Sequence, residues 1–225
     1  MPCKFLQGLY RDNNMHKKTL LLCTGLSGTG KSYFIKNTLP DGLFYNLKSA
    51  ATRPMRAGES DGNPYHFMTE PQFELIDFAT YLWVNEAFWA PGTPKWLYGI
   101  PEKEIVTNLG HNLTYDVIQP KYAQQLKNWF LEHDLGKYYN IRTAFFEGPD
   151  TNLETAAKRA NMPNDLDVRR ANTCTPQDFA DVGLNIDYHL KPRLGIYDPK
   201  LTRHIAMLEK YKHDIPKIIM NPRTK

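Results

Sequence analysis

The sequence predicts a three-layer α/β fold built on a parallel sheet, and three observations support that prediction. Short apolar runs of the kind found in buried strands alternate with helical segments along much of the chain. A glycine-rich segment, residues 25–32, stands between the first such run and the first helical segment. The 225 residues are 41% hydrophobic and 23% charged, which is ordinary for a globular domain large enough to bury a core.

The individual strands and helices follow from local patterns. Five apolar runs bounded by turn residues predict strands buried on both faces, at residues 19–24, 43–47, 112–116, 139–146 and 185–190. Helical segments are predicted at residues 31–38, 121–132, 153–159, 176–182 and 199–212. Doubly wound sheets bind ligands at the carboxyl ends of their strands, so a site is expected along that edge.

The alternation breaks at two places, which predicts two inserts. Residues 49–99 are rich in arginine, glycine, proline and aromatic side chains and are expected to form a small mixed α/β insert. Residues 149–172 are polar and are expected to form a helical lid. No repeat or low-complexity linker divides the chain, so a single domain of residues 1–225 is predicted. Its core is expected to comprise residues 17–48, 100–148 and 173–215.

The glycine-rich segment predicts a nucleotide site. Residues 25–32 read GLSGTGKS and satisfy the P-loop pattern G-x-x-x-x-G-K-[ST]. Its glycines let the backbone turn N–H groups toward phosphate oxygens at the start of a helix. The lysine can reach the β- and γ-phosphates, and the hydroxyl of Ser32 can ligate Mg²⁺. The predicted nucleotide-binding residues are Gly25, Ser27, Gly28, Thr29, Gly30, Lys31 and Ser32.

A second group of anion-binding residues follows in the first insert. From Ser49 the chain reads SAATRPMRAGESDGNPYHF, in which Arg53 and Arg56 are spaced to converge on one anion. Guanidinium forks match phosphate geometry better than ammonium groups do, and the phenol of Tyr65 can donate to a phosphate oxygen. A surface loop with solvated arginines is the alternative, but the P-loop in the same chain favours a second phosphate site.

Composition narrows the classes of function. The net charge of +4 is small, and the basic residues near both ends are expected to be solvated rather than to contact nucleic acid. No apolar run approaches the length of a membrane span, and the first residues lack the apolar core of a signal peptide. The three cysteines lack metal-ligand spacing, so a cytoplasmic protein with reduced thiols is expected.

These motifs together resemble those of guanylate kinases. Residues 52–67, TRPMRAGESDGNPYHF, are similar to the family's signature and lie where the family carries it. Tyr98 and Gly99 match a further element of the family, with Glu86 upstream of them and Asp116 at the end of a predicted strand. The resemblance implies a P-loop kinase core with a monophosphate-binding insert and a lid.

The resemblance also implies how an acceptor nucleotide would be bound. Its phosphate would be held by Arg53, Arg56, Tyr65 and Tyr98, and its base would be read by Glu86 with Ser49. Guanine offers N–H donors to a carboxylate and its O6 acceptor to a hydroxyl, whereas the N1 lone pair of adenine would repel the carboxylate. Asp116 would either contact the base or order water around Mg²⁺.

The activity implied is ATP-dependent phosphorylation of GMP or dGMP, with Mg²⁺ as cofactor and with ATP and the monophosphate as partners. The catalytic residues would be Lys31, Arg53 and at least one of Arg159, Arg169 and Arg170 in the lid. Two other functions stay open: a related kinase for another phosphorylated acceptor, such as a modified nucleotide or a phosphorylated ribose, and a non-catalytic module that binds proteins. The intact lysine of the P-loop favours an enzyme, and the sequence leaves the oligomeric state undefined.

Overall fold

The computed structural model of the protein describes residues 16–25, 28–55, 58–63, 65–83, 96–117, 119–148, 174–192 and 197–211. Within them the strands are β1 (Lys18–Gly25), β2 (Phe44–Asn46), β3 (Ala50–Ala51), β4 (His66–Phe67), β5 (Phe78–Trp83), β6 (Leu97–Pro101), β7 (Asn112–Val117), β8 (Tyr139–Phe146) and β9 (Tyr188–Leu190). The helices are α1 (Lys31–Asn37), α2 (Glu70–Phe73), α3 (Glu102–Thr107), α4 (Pro120–Glu132), α5 (Pro176–Asp181) and α6 (Pro199–Lys210).

The core is a parallel sheet of five strands in the order β2-β7-β1-β8-β9. Every neighbouring pair in it runs parallel, and the register places Leu22 of β1 beside Tyr115 and Cys23 beside Asp116 of β7. The five predicted strands are the five strands of this sheet, so the predicted α/β class and parallel sheet are confirmed. Because β1 lies at the centre and ends at the glycine-rich segment, β7 and β8 also end beside that segment.

Helices cover both faces of the sheet, as the three-layer prediction requires. Successive side chains of a strand point to opposite faces, so Leu20 and Leu22 lie in one apolar cluster while Leu21 and Cys23 lie in the other. The first cluster includes side chains of α3, α4 and α5, and the second includes side chains of α1 and α6. These four β1 side chains are at most 1% exposed. Burial of each leucine contributes about 1.5 to 3 kcal/mol, so both layers are anchored on β1.

Four of the predicted helices are confirmed, and two of them begin with a capping carboxylate and a proline. At the start of α5 the backbone N–H of Thr175 donates to the Asp178 carboxylate at 2.6 Å. At the start of α6 the Asp198 carboxylate accepts from the backbone N–H of Lys200 at 2.8 Å. Both helices carry proline in their first turn, where no hydrogen-bond donor is needed. The helix predicted at residues 153–159 lies outside the described residues.

The first insert contributes a second, mixed sheet of order β4-β3-β6-β5. β3 pairs with β4 in parallel and with β6 antiparallel, and β5 pairs with β6 antiparallel. Gly99 in β6 lies so close to β5 that a Cβ atom would stand 2.6 Å from Cδ1 of Phe78, so only glycine permits this pairing. Because α2 lies between β4 and β5 along the chain, the insert contains both strands and a helix, as predicted. The predicted lid, residues 149–172, lies outside the described residues.

Candidate functional site

The glycine-rich segment joins the central strand to the first helix. β1 ends at Gly25, and α1 begins after Gly30, whose φ of 98° is left-handed. Gly25 lies so close to β8 that a Cβ atom would stand 2.3 Å from the carbonyl oxygen of Phe146. Side chains at these two positions would clash or be strained, so the segment keeps its backbone accessible to a ligand.

Lys31, Ser32 and Asp116 form a polar group at the carboxyl ends of β1 and β7. The side chain of Lys31 is 6% exposed, and its ammonium donates to the carbonyl oxygen of Gly25 at 2.9 Å and lies 3.8 Å from Oδ1 of Asp116. The hydroxyl of Ser32 donates to Oδ2 of Asp116 at 2.7 Å. One carboxylate therefore contacts both the P-loop lysine and the serine predicted to bind the metal.

The oxygen atoms of this group suit magnesium. Mg²⁺ in nucleotide sites takes one or two carboxylates together with phosphate oxygens and keeps several waters. The Ser32 hydroxyl and the Asp116 carboxylate, which is 29% exposed, are hard oxygen donors of that kind. Among the described residues, no group of three or more histidine, cysteine or carboxylate side chains could hold a metal ion.

Arg53 is held by a carboxylate and by aromatic rings. Its guanidinium donates from both terminal nitrogens to Glu59, at 2.7 and 2.6 Å, and from one of them to the carbonyl oxygen of Pro54 at 2.8 Å. It also lies over the rings of Tyr65 and Phe67, 5.1 Å from each centroid. Arg53 is 4% exposed, so its charge is buried, and the charge is paired with the carboxylate of Glu59. The two hydrogen bonds to Glu59 fix the orientation of the guanidinium.

Tyr65 and Tyr98 pack beside Arg53. Their rings meet edge to face with centroids 5.6 Å apart. Burial raises the pKa of Tyr65 to about 12, and the nearby charges of Tyr98 and Asp116 act in the same direction. Tyr65 is therefore a neutral phenol able to donate a hydrogen bond at physiological pH.

Ser49 is paired with a tyrosine of the core sheet. Its Oγ lies 2.7 Å from the hydroxyl of Tyr115, and each of the two residues is 3% exposed. Because side chains alternate along a strand, Tyr115 and Asp116 point to opposite faces of β7. Tyr115 accordingly lies in the apolar cluster of α4, while Asp116 faces α1. Of these two adjacent residues of β7, Tyr115 contacts Ser49 beside the insert, and Asp116 contacts the P-loop residues Lys31 and Ser32.

The described members of the predicted site fall into two groups. Those at the P-loop are Gly25, Gly28, Thr29, Gly30, Lys31, Ser32 and Asp116, and those at the insert are Ser49, Arg53, Tyr65 and Tyr98. The remaining candidates, which are Ser27, Arg56, Glu86, Arg159, Arg169 and Arg170, lie outside the described residues. Across the described part of the chain, no helix has the length and apolar character needed to cross a membrane.

Sequence reasoning assigned no role to two residues of this site, Glu59 and Tyr115. Glu59 lies within the signature of residues 52–67. It follows Gly58 and lies six residues beyond Arg53, which is a usable signal for a turn that returns to the arginine. Tyr115 carries no local signal, because its partner Ser49 is 66 residues away along the chain.

Sequence comparison relates the chain to guanylate kinases. No family model matches it. Guanylate kinase of Carboxydothermus hydrogenoformans is 35% identical over 125 residues, which cover 52% of this chain and 56% of that protein. The enzyme of that name from Synechocystis sp. is 31% identical over 124 residues, which cover 53% of this chain and 61% of that protein. The guanylate kinase of Sulfurimonas denitrificans is 46% identical over 63 residues, or 27% of this chain and 31% of that protein.

A crystal structure of guanylate kinase from Anaplasma phagocytophilum aligns with 90% of this chain and 88% of its own, with a TM-score of 0.47 and 18% identity. That likeness is remote, and the relationship rests on the sequence alignments. This chain spans between 31% and 61% of the lengths of the three curated relatives. The alignments confirm the resemblance that the motifs predict: over about half of its length the chain is similar in sequence to guanylate kinases.

Proposed function

We propose that the chain transfers the γ-phosphoryl group of ATP to a nucleoside monophosphate, with GMP or dGMP as the favoured acceptor. The observation that carries this proposal is that one chain holds two groups suited to phosphate, one at the carboxyl ends of β1 and β7 and one in the insert, which the contact between Ser49 and Tyr115 joins to β7. The P-loop group of Lys31, Ser32 and Asp116 suits a triphosphate, and the insert group around Arg53 suits a monophosphate.

On the donor side, the P-loop backbone would bind the phosphates of ATP. Lys31 would exchange its hydrogen bond to the carbonyl of Gly25 for one to the β- or γ-phosphate. Ser32 and Asp116 would hold Mg²⁺, directly or through water. The hydrogen bond between these two side chains supports metal ordering as the role of Asp116 over contact with the base.

On the acceptor side, the phosphate of the monophosphate would meet Arg53, Tyr65 and Tyr98, with Arg56 completing the set. Arg53 uses three of its five N–H groups on Glu59 and Pro54, so two are left for a phosphate. Ser49 and Glu86 would then read the base edge. A hydroxyl and a carboxylate at that edge match guanine and oppose adenine, which favours GMP or dGMP.

Phosphoryl transfer mainly requires that the two phosphates are aligned and that their negative charge is neutralised. A phosphate oxygen of the acceptor attacks the γ-phosphorus, the bond from that phosphorus to ADP breaks, and a nucleoside diphosphate and ADP leave. Lys31 and Arg53 would hold the two phosphates in line and balance their charges. When bound, Mg²⁺ supplies further neutralisation of the β- and γ-phosphate oxygens. At least one of Arg159, Arg169 and Arg170 would add positive charge from the lid.

The division of the chain follows from these roles. The core of residues 17–48, 100–148 and 173–215 would bind ATP, the insert of residues 49–99 would bind the acceptor, and the lid of residues 149–172 would exclude water during transfer. A reducing compartment rich in ATP, such as the cytoplasm, suits this function, and both described cysteines are buried free thiols.

An acceptor panel tests the proposal. ADP formation is followed with ATP and GMP, dGMP, AMP, CMP, UMP or ribose 5-phosphate, with and without Mg²⁺. We expect kcat/KM for GMP or dGMP to exceed that for AMP by about a hundredfold or more. Preference for a non-guanine acceptor would overturn the acceptor assignment, and transfer to no acceptor would overturn the assignment as a kinase.

A substitution in the insert tests the binding mode. Arg53→Lys keeps the charge but removes the guanidinium fork, so KM for GMP should rise about tenfold while KM for ATP stays unchanged. Arg203→Lys on the exposed face of α6 is the matched control and should change neither constant. Equal KM values for GMP in Arg53→Lys and the unsubstituted chain would remove Arg53 from the acceptor site.

A further inference from the structure

The hydrogen bond between Ser49 and Tyr115 lies where the insert joins the core. Ser49 directly precedes β3, the first strand of the second sheet, and Tyr115 lies near the carboxyl end of β7. Their hydroxyl oxygens are 2.7 Å apart, and both residues are almost fully buried. A hydroxyl has one proton and can accept two hydrogen bonds, so the direction of this bond decides what Ser49 can offer to a ligand.

The surroundings favour Tyr115 as the donor. Tyr115 is buried in the apolar cluster that includes α4, its hydroxyl lies 2.7 Å from Oγ of Ser49, and burial favours the neutral form of a phenol. A phenol keeps its proton at physiological pH. A phenol is a stronger hydrogen-bond donor than an aliphatic alcohol, so Tyr115 donates and Ser49 accepts. The proton of Ser49 is then left to point away from Tyr115.

We propose that Tyr115 is a positioning residue that makes the Ser49 hydroxyl a hydrogen-bond donor to the 6-oxo group of the acceptor base. This inference rests on the proposed function. Guanine carries an acceptor at that position and adenine carries an amino donor, which would face the Ser49 proton without a partner. Tyr115 thereby contributes to base selection without touching the base.

The test compares GMP with 2-aminopurine riboside 5′-monophosphate. The analogue keeps the 2-amino group but lacks both the 6-oxo group and the N1–H, and the loss of N1–H should weaken its binding equally in every variant, so the change in the acceptor ratio between variants reports on the 6-oxo group. We expect Tyr115→Phe to lower the ratio of kcat/KM for GMP to that for the analogue about tenfold, mainly through KM for GMP. Ser49→Ala should lower the ratio as much, and the double variant should lower it no further, because both changes remove one shared interaction.

Tyr139→Phe is the matched control. The Tyr139 hydroxyl is also buried, donates to the carbonyl of His111 at 3.0 Å and accepts from the N–H of Gly110 at 3.2 Å. It lies at the start of β8, at the edge of the sheet opposite the site. This variant should lose stability and keep the acceptor ratio of the unsubstituted chain.

The outcomes separate the two proposals. An unchanged acceptor ratio in Tyr115→Phe overturns the role of Tyr115 while the kinase assignment stands. Failure of the unsubstituted chain to phosphorylate GMP overturns the proposed function and this inference with it. Should Tyr115→Phe fail to fold, as judged by circular dichroism, Ser49→Ala interrupts the same hydrogen bond from its other end, and an unchanged ratio in that variant overturns the inference.

Discussion

The two halves of the site are built in different ways. The P-loop half depends on backbone geometry: glycines in left-handed conformations bring the chain close to β8 and leave the N–H groups accessible. The insert half depends on side chains, and each of them is held by another side chain, as Arg53 is by Glu59 and Ser49 is by Tyr115. Backbone recognises phosphate without regard to the rest of the ligand, whereas oriented side chains can distinguish one base from another.

Under the proposed function, this difference would place phosphate binding and base selection in separate parts of the chain. The P-loop half is supported by the central strand of a parallel sheet whose side chains are nearly completely buried. The insert half is supported by short strands, two of which contain two residues each. Changes in the first half should therefore affect turnover with any acceptor, and changes in the second should affect the choice and affinity of the acceptor.

Removal of the P-loop lysine should have the largest effect. Lys31→Ala deletes the charge nearest to the transferred group, and we expect kcat/KM to fall about a thousandfold, or about 4 kcal/mol, with every acceptor. Lys36→Ala, at the exposed end of the same helix, is the matched control and should be as active as the unsubstituted chain. A loss confined to GMP would contradict the assignment of Lys31 to the donor half.

A side chain in the P-loop should destabilise the fold. In Gly25→Ala the new Cβ would stand 2.3 Å from a backbone oxygen at a φ of +142°, so the free energy of unfolding should fall by about 3 kcal/mol. Gly183→Ala also has a positive φ, of +69°, but open space around it, and should cost about 1 kcal/mol. Urea denaturation measures both. Equal losses would show that close approach to β8 does not constrain the loop.

Loss of the carboxylate that holds Arg53 tests the insert half. Glu59 is 17% exposed and pairs with a nearly buried guanidinium, so Glu59→Ala should lower the free energy of unfolding by about 2 kcal/mol. It should also raise KM for GMP and leave KM for ATP unchanged, because Glu59 orients Arg53, which belongs to the acceptor half. Glu74→Ala, exposed at the end of α2, is the control. A rise in KM for ATP in Glu59→Ala would contradict the assignment of ATP binding and acceptor binding to separate halves of the site.

The same difference explains what could be predicted from the sequence. Parallel strands buried on both faces and helices that begin with Thr-Pro or Asp-Pro carry local signals, so the core elements and the P-loop were identified within a few residues of their bounds. The strands of the insert carry little local signal. β3 exists only because Ala50 and Ala51 pair with β4 and β6, which are distant in sequence.

Partners of the site residues were equally hard to predict. Arg53 and Ser49 could be selected as candidates by residue type and by resemblance, but the orientation of each depends on a contact that only the folded chain defines. The sequence indicates that Arg53 could bind the phosphate of the acceptor. It does not indicate that Glu59 already accepts hydrogen bonds from both terminal nitrogens of the Arg53 guanidinium. Tyr115 reaches Ser49 only because β7 lies beside the strand that leads into the insert.

The smallest expected effect concerns pH and the core that both halves share. His204 of α6 contacts the hydroxyl of Tyr188 through Nδ1 and lies 3.1 Å from the hydroxyl of Thr19, near the start of β1, through Nε2. Burial lowers the pKa of His204, the charge of Arg142 acts in the same direction, and Asp187 opposes them. The folded chain therefore prefers the neutral ring.

This contribution to stability is present above the unfolded pKa of His204, about 6.5, and is lost as pH falls through the lower pKa of the folded state. Between the unfolded and the folded pKa, the protonation of His204 should lower the free energy of unfolding by at most about 1.4 kcal/mol per pH unit. Urea denaturation at pH 8.0 and 5.5 should show a smaller decrease in His204→Gln than in the unsubstituted chain, whereas equal decreases would exclude His204 as a source of acid sensitivity.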